Sequence, residues 1–162
     1  MSQGKVRGLR ERGSGAYALW MSFIQDFHTR ARAAERAMRQ VFADTPLQRN
    51  AHLSERFECD IWLKREDLSP VRSYKLRGAF NAMRKVLDGG TTSKLFVCAS
   101  AGNHAQGVAY MCQHFGVFGV IYMPVTTPAQ KVQKTQIFGG DSIEIRLVGD
   151  YFDDTLAEAQ RF

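Results

Sequence analysis

The chain has 162 residues, of which 44% are hydrophobic and 23% charged, and its formal net charge is +6. This composition is ordinary for a globular protein, and no apolar run approaches the roughly 20 residues that a membrane-spanning helix needs. The first 39 residues hold eight basic and three acidic side chains, whereas the rest of the chain holds 14 and 13. The sequence thus excludes a transmembrane protein and confines its basic excess to the N-terminal segment.

That N-terminal segment, residues 1–33, is interpreted as a basic, partly disordered leader ahead of a catalytic region in residues 34–162. Residues 1–15 are rich in Gly, Arg and Ser and are predicted to be disordered. Residues 16–42 lack Pro and Gly and predict a helix that Pro46 stops. An organelle targeting peptide and a solvated tail both fit the leader. It lacks the interleaved aromatic residues of a nucleic-acid surface, and we expect no nucleic-acid partner.

Strands and helices alternate from residue 60 onward. A short strand is predicted at 61–64, and apolar positions from Leu76 to Leu87 then follow a helical repeat that Gly89-Gly90 ends. A buried strand at 95–99, a helix to Phe115 and a strand at 117–123 come next. A helix capped by Thr127 and ended by Gly139-Gly140, a strand at 143–148 and a helix from Tyr151 complete the series. This order predicts an α/β fold with a parallel sheet and helices on both faces.

Lys75 is the first candidate for chemistry. Ser73 is expected to cap the helix that begins near Tyr74, which places Lys75 in the first turn. The helix dipole disfavours a positive charge there, and partial burial would lower the pKa of the amine further. A neutral amine is what a lysine needs to form a Schiff base with a carbonyl compound. A solvated surface lysine is the ordinary alternative for one lysine considered alone.

The second candidate is the segment Ser-Ala-Gly-Asn-His-Ala-Gln-Gly at residues 100–107, which joins a predicted strand to a predicted helix. Its small residues let the backbone approach a ligand, and free N–H groups at a helix start bind carboxylate or phosphate. A capping turn without a ligand explains the pattern equally well. The segment is not G-x-G-x-x-G, so no dinucleotide site is predicted. Asp153-Asp154 is interpreted as the acidic first turn of the last helix.

Neither a metal site nor a disulfide framework is expected. The three cysteines, Cys59, Cys98 and Cys112, have no C-x-x-C spacing, and the histidines show no ligand-like spacing. Cys98 lies in an apolar run, where a buried, reduced thiol is expected. A reducing compartment, the cytoplasm, fits this cysteine usage, with organelle targeting by the leader as the alternative.

Five segments together resemble the threonine dehydratases, which belong to the fold-type II pyridoxal-phosphate (PLP) enzymes, similar to the tryptophan synthase β subunit in fold. The resemblance covers roughly residues 34–162. It rests on Thr45-Pro46-Leu47, Leu63-Lys64-Arg65-Glu66-Asp67-Leu68, Ser73-Tyr74-Lys75-Leu76-Arg77-Gly78-Ala79, Ser100-Ala101-Gly102-Asn103-His104-Ala105-Gln106-Gly107 and Met123-Pro124. Two long motifs in the right order make this resemblance specific.

The resemblance implies deamination of L-threonine to 2-oxobutanoate and ammonia, a step in isoleucine biosynthesis, with PLP as the cofactor. Lys75 would carry the cofactor and remove the Cα proton of the amino-acid substrate. Asn103 would bind the 3-oxygen of the cofactor and Tyr74 would pack beside it. Backbone N–H groups would hold the substrate carboxylate at four residues: Ser100, Ala101, Gly102 and His104. A serine dehydratase or serine racemase would suit the same motifs.

Members of this family are much longer than 162 residues. They place a glycine-rich loop that grips the PLP phosphate beyond the region matched here, whereas Gly89-Gly90 and Gly139-Gly140 of this chain are both interpreted as helix stops. We therefore expect a partial chain, weak in PLP binding by itself, from an enzyme that forms homo-oligomers. The alternative is a non-catalytic fragment that associates with full-length subunits. Large apolar faces that the missing domain would leave exposed are typical of interaction surfaces.

Overall fold

The computed structural model of the protein describes residues 7–92 and 94–162. The chain forms two compact units, Met1–Val41 and Phe42–Phe162. The predicted division after residue 33 concerns function and stays a prediction. No helix in the described part of the chain has the length and apolar character that crossing a membrane requires.

The first unit is built on one long helix, α1, which spans Arg7–Met38. The prediction of disorder for residues 1–15 is wrong from Arg7 onward, and residues 1–6 lie outside the described residues. Extension of an existing helix needs no new nucleus, so this helix continues through glycine-containing sequence. It also ends before the predicted residue 42, in a turn where the Val41 N–H donates to the Met38 carbonyl at 2.9 Å.

The second unit begins with a two-stranded ribbon. Strand β1, Leu47–Arg49, pairs antiparallel with β2, Trp62–Lys64, and the short helix α2, Ala51–Arg56, connects them. The predicted strand at 61–64 is confirmed as β2. Its partner β1 was not predicted, because three exposed residues carry no periodic signal. A 3₁₀ turn at Glu66–Leu68 follows β2.

The rest of the second unit is a parallel sheet with flanking helices, which confirms the predicted α/β class. Its strands lie in the order β3, Leu95–Ala99; β4, Phe118–Met123; and β5, Ile143–Leu147. Its helices are α3, Lys75–Asp88; α4, Asn103–Phe115; α5, Ala129–Gly139; and α6, Phe152–Arg161. Helix α4 packs between α3 and α5 and against the strands, whereas α6 packs against β3 and β4.

The hydrophobic core lies where α4 meets the sheet. Ala105, Ala109 and Met111 of α4 and Ile121 and Met123 of β4 have no exposed surface. Since burial of each large apolar side chain contributes roughly 1.5–3 kcal/mol, this layer fixes α4 against the strands. The loop at 100–102 between β3 and α4 therefore lies at a rigid edge, at the carboxyl ends of the parallel strands, where ligands bind in such sheets.

Helix ends agree with the sequence more often than helix starts. Gly89-Gly90 and Gly139-Gly140 end α3 and α5 as predicted. Thr127 was predicted to cap α5, but the helix begins one residue later, with Pro128 at the capping position and no capping side chain. The Thr127 N–H donates to the Pro124 carbonyl at 3.0 Å in a turn ahead of the helix, and this turn displaces the start.

Candidate active site

The two candidate segments meet at the starts of α3 and α4. Lys75 is the first residue of α3, with Tyr74 at the capping position, and Asn103 is the first residue of α4, with Gly102 capping it. The helices touch at Gly107, where an added Cβ would lie 3.3 Å from the backbone carbon and oxygen of Lys75. The fold therefore brings together two segments that lie 28 positions apart in the chain.

Lys75 projects from this junction with its amine near an aromatic ring. Its Nζ lies 5.2 Å from the centroid of the Tyr74 ring, and both side chains are exposed. The partial burial expected for Lys75 is therefore wrong for the described residues. Its position in the first turn of α3 is confirmed.

Ser73 does not cap α3, contrary to the sequence prediction. It is buried, with 6% of its surface exposed, and its N–H donates to Ser69 Oγ at 3.0 Å. The Ser69 hydroxyl donates in turn to the Ser73 carbonyl at 3.1 Å. These two bonds hold the backbone of residue 73, and its own hydroxyl is buried without a hydrogen-bond partner among the described residues. Tyr74 occupies the capping position instead and forms no side-chain cap.

The start of α4 has the open geometry that its small residues predicted. The Ser100 N–H donates to the Tyr122 carbonyl of β4 at 2.9 Å, and Ser100 Oγ accepts the Gly102 N–H at 3.2 Å. No side chain among the described residues caps the helix at Gly102. The first N–H groups of α4 therefore point out of the helix end, where they favour a carboxylate or a phosphate.

His104, the second residue of α4, lies within electrostatic range of Lys75 at the start of α3. Partial burial lowers the pKa of its imidazole, and the positive charge of Lys75 lowers it further. The ring is therefore neutral at neutral pH, and it is near enough to Lys75 to sense the charge of the amine. The imidazole therefore contributes no positive charge to the anion-binding helix start, which depends on its N–H groups instead.

Sequence reasoning missed a polar cluster beneath α3, formed by Thr45, Glu66 and Arg77. Arg77 Nε and Nη2 donate to the two oxygens of the Glu66 carboxylate at 2.9 and 2.8 Å. The hydroxyl of Thr45 donates to Glu66 at 2.8 Å. All three residues belong to the segments that carry the family resemblance, but sequence spacing gave no sign that they meet.

The cysteines are not joined to one another. Cys59 is exposed, whereas burial raises the pKa of Cys98 to about 12 and that of Cys112 to about 11. Both of these thiols are therefore protonated at neutral pH. Cys98 is unpaired, as expected, but it is half-buried rather than buried. Asp153 and Asp154 lie in the first turn of α6, as predicted. The described residues hold no group of three or more His, Cys, Asp or Glu side chains suited to a metal ion.

Residues 38–162 match the protein family described as "Pyridoxal-phosphate dependent enzyme". The biosynthetic L-threonine dehydratase of Bacillus subtilis is 55% identical over 126 residues, which are 78% of this chain and 30% of that protein. The processed form of threonine deaminase isoform 2 from Solanum lycopersicum is 37% identical with a TM-score of 0.63, over 74% of this chain and 33% of that one. Maize serine racemase is 26% identical with a TM-score of 0.71, over 80% and 38%.

Proposed function

The chain belongs to the family of pyridoxal-phosphate dependent enzymes, and from that premise we propose that it supplies the lysine-bearing part of a threonine dehydratase. The proposed reaction converts L-threonine to 2-oxobutanoate and ammonia. The cofactor predicted from the motifs is the one for which the family is named. The chain spans about 30% of the length of the curated relatives it matches, so the activity of a whole enzyme remains part of the proposal.

The observation that carries this proposal is the meeting of an exposed lysine with an uncapped helix start. The Lys75 amine is exposed, and the N–H groups of α4 beside it have no capping side chain. The amine can form a Schiff base with an aldehyde such as that of PLP. The helix start can bind the carboxylate of an amino-acid substrate. The residues of this chain therefore fit the cofactor.

Bound PLP would supply an electron sink for the electron pair left at the substrate Cα. Lys75 would attach the cofactor through Nζ and, once released, would hold and move the proton of Cα. Both tasks need the neutral form of the amine. Tyr74, whose ring lies 5.2 Å from that Nζ, would pack beside the cofactor.

The start of α4 would hold the substrate. The backbone N–H groups of Ala101 and His104 would bind its carboxylate, because the helix dipole and open donors favour an anion there. The N–H groups of Ser100 and Gly102 already donate within the chain, so these two residues would shape the loop around the carboxylate. The exposed amide of Asn103 would donate to the 3-oxygen of the cofactor. Together with Lys75, these groups would fix which face of the substrate Cα meets the amine.

A serine-specific enzyme is the second candidate, favoured by the similarity in fold to a serine racemase. The side chains that contact the β-carbon of a substrate decide between threonine and serine, and one methyl group is worth roughly 1–3 kcal/mol in such a choice. The alternative of a non-catalytic subunit partner, homo-oligomer formation by the enzyme and location in the cytoplasm all remain predictions.

A chimera tests the proposed function. Residues 38–162 replace the matching third of the Bacillus subtilis relative, and production of 2-oxobutanoate from L-threonine is compared with production of pyruvate from L-serine. We expect threonine to be the better substrate. Lys75→Arg keeps the positive charge but removes the amine, so deamination should fall by about 10³-fold, as for loss of a proton-transfer group.

The matched control is Lys131→Arg, at an exposed lysine in the first turns of α5. This change should leave the rate of deamination unchanged. A folded Lys75→Arg chimera with the activity of the parent would contradict the role of Lys75. Preference for L-serine would instead support the second candidate.

A further inference from the structure

The cluster of Thr45, Glu66 and Arg77 joins three separate parts of the second unit. Thr45 precedes β1, Glu66 opens the 3₁₀ turn after β2, and Arg77 lies in the first turn of α3. Arg77 Nη2 donates to both Thr45 Oγ1, at 2.9 Å, and Glu66 Oε1, at 2.8 Å. Each member of the cluster therefore contacts the other two.

The cluster is well shielded from water. Thr45 has 4% of its surface exposed, and the side chains of Glu66 and Arg77 have 19% and 26%. The guanidinium of Arg77 also lies 5.2 Å from the centroid of the Phe42 ring. In the ribbon of the same unit, the pair Arg49–Asp60 has a similar N–O distance of 2.7 Å but is 48% and 71% exposed. Charged hydrogen bonds that exclude water hold their geometry more firmly than exposed ones.

The charges of the cluster are matched. Hydrogen bonds from Arg77 and Thr45 lower the pKa of the Glu66 carboxyl against the opposing effect of burial. The nearby ammonium of Lys64 acts in the same direction and donates to the Thr45 carbonyl. Glu66 is thus a carboxylate near neutral pH, able to accept both Arg77 donors.

Because Arg77 and Lys75 lie in the same helical turn, the hydrogen bonds that hold Arg77 also restrict the position of Lys75. The Arg77 N–H donates to the carbonyl of Tyr74 at 3.0 Å, which closes the turn that contains Lys75. Within the described residues no side chain caps α3 at Tyr74, and the local bonds between Ser69 and Ser73 hold only the backbone ahead of the helix. On the other side, Gly107 of α4 lies against the backbone of Lys75.

We propose that Thr45, Glu66 and Arg77 are positioning residues that hold the first turn of α3, and with it Lys75, against the start of α4. The inference rests on the proposed function only in taking Lys75 as the reactive lysine. A displacement of a reacting group by 1 Å can cost about 10²-fold in rate, so an anchor placed two residues from the lysine bears directly on catalysis.

Two measurements on the full 162-residue chain test this role without cofactor or substrate. Hydrogen exchange followed by mass spectrometry reports the order of the first turn of α3 relative to its last turn. NMR titration of the His104 ring reports the distance of the Lys75 charge, with Lys75→Gln setting the value for a missing charge. His28, His52 and His114 serve as internal references.

The variants are Glu66→Gln, which removes the charge, and Thr45→Val, which removes the hydroxyl. Both should speed exchange in the first turn of α3 and raise the His104 pKa toward the value of Lys75→Gln. Thr45→Ser keeps the hydroxyl and should restore both readouts. Asp60→Asn, which breaks the exposed ion pair of the ribbon, should change neither.

The proposal is wrong if either readout keeps its native value in both Glu66→Gln and Thr45→Val. It is also wrong if neither variant shows a cooperative thermal transition, because the cluster would then maintain the whole unit rather than one turn. Failure of the proposed function has a different signature. The Lys75→Arg chimera would remain active while the exchange and titration results stood.

Discussion

The first turns of α3 and α4 lie side by side but are held in place in different ways. The start of α4 follows a strand of the sheet, and its loop is bonded directly to the neighbouring strand through Ser100 and Tyr122. The start of α3 follows an irregular segment and is bonded to side chains that come from far away in the sequence, Thr45 and Glu66. One is positioned by the sheet, the other by a polar cluster.

The two helix starts differ in what they offer: α4 offers backbone N–H groups, and α3 offers the side chain of Lys75. The first N–H groups of α4 have no capping side chain among the described residues, and under the proposed function they would bind a ligand. The start of α3 presents a side chain rather than its backbone, and the placement of that side chain depends on charged hydrogen bonds. We therefore expect substitutions at the two starts to differ in size, in pH dependence and even in sign.

Substitution at the contact between α3 and α4 should lower the free energy of unfolding more than substitution elsewhere in the two helix starts. Gly107→Val places a branched side chain where an added Cβ would already lie 3.3 Å from the Lys75 and Leu76 backbone. Overpacking of this kind should lower the free energy of unfolding by about 3 kcal/mol. Urea denaturation of the purified chain measures the change.

Gly78→Ala in α3 is the matched control, because no atom lies within 4 Å of an added Cβ there. Alanine should raise the free energy of unfolding by about 1 kcal/mol, since glycine in a helix interior loses more backbone entropy on folding. Equal effects of the two substitutions would show that α3 and α4 do not meet closely at Gly107.

The cluster that anchors α3 should make stability depend on pH. The pKa of Glu66 is lowered from 4.5 in the folded chain, chiefly by the hydrogen bond from Arg77. The stabilising contribution is therefore fully present above pH 4.5, and it is lost as the pH falls through the lowered value. Near neutral pH, Glu66→Gln should cost about 2 kcal/mol, the size expected for hydrogen bonds between charged groups.

The difference in unfolding free energy between the native chain and Glu66→Gln should shrink as the pH falls below 4.5, the unshifted pKa of that carboxyl. Thermal unfolding at a series of acidic pH values measures it. A difference that stays constant or grows toward acid would mean that the Glu66 carboxylate is not stabilised by Arg77 in the folded chain.

Substitution at the start of α4 should change the free energy of unfolding least, and it should raise this free energy rather than lower it. Gly102 has open space around an added Cβ and no side chain caps the helix, so Gly102→Asp can supply a carboxylate to the open N–H groups. This should raise the free energy of unfolding by about 0.5 kcal/mol. Gly102→Ala adds the Cβ without the oxygen, and thermal denaturation should rank it below Gly102→Asp.

The α4 region could be predicted closely because its signals are local. Five apolar residues form β3, small residues form the loop, and a helix of 13 residues follows and ends at Phe115, as predicted. The predicted burial of β3 is wrong, because it is an edge strand on which Leu95 and Val97 are 41% and 40% exposed. The α3 region was predicted less well because its start depends on contacts made elsewhere. The local rule that a serine before a helix caps it did not hold at Ser73, where hydrogen bonds to Ser69 took precedence.

The sequence by itself determined the order of strands and helices, the parallel sheet, the family and the place of Lys75 at a helix start, since these follow from periodicity, turn residues and motif order. Only the tertiary structure decided that Lys75 meets the start of α4 over Gly107, and that Thr45, Glu66 and Arg77 form one cluster. Contacts between residues 21 and 32 positions apart depend on how the elements pack, and no local pattern in the sequence records that packing.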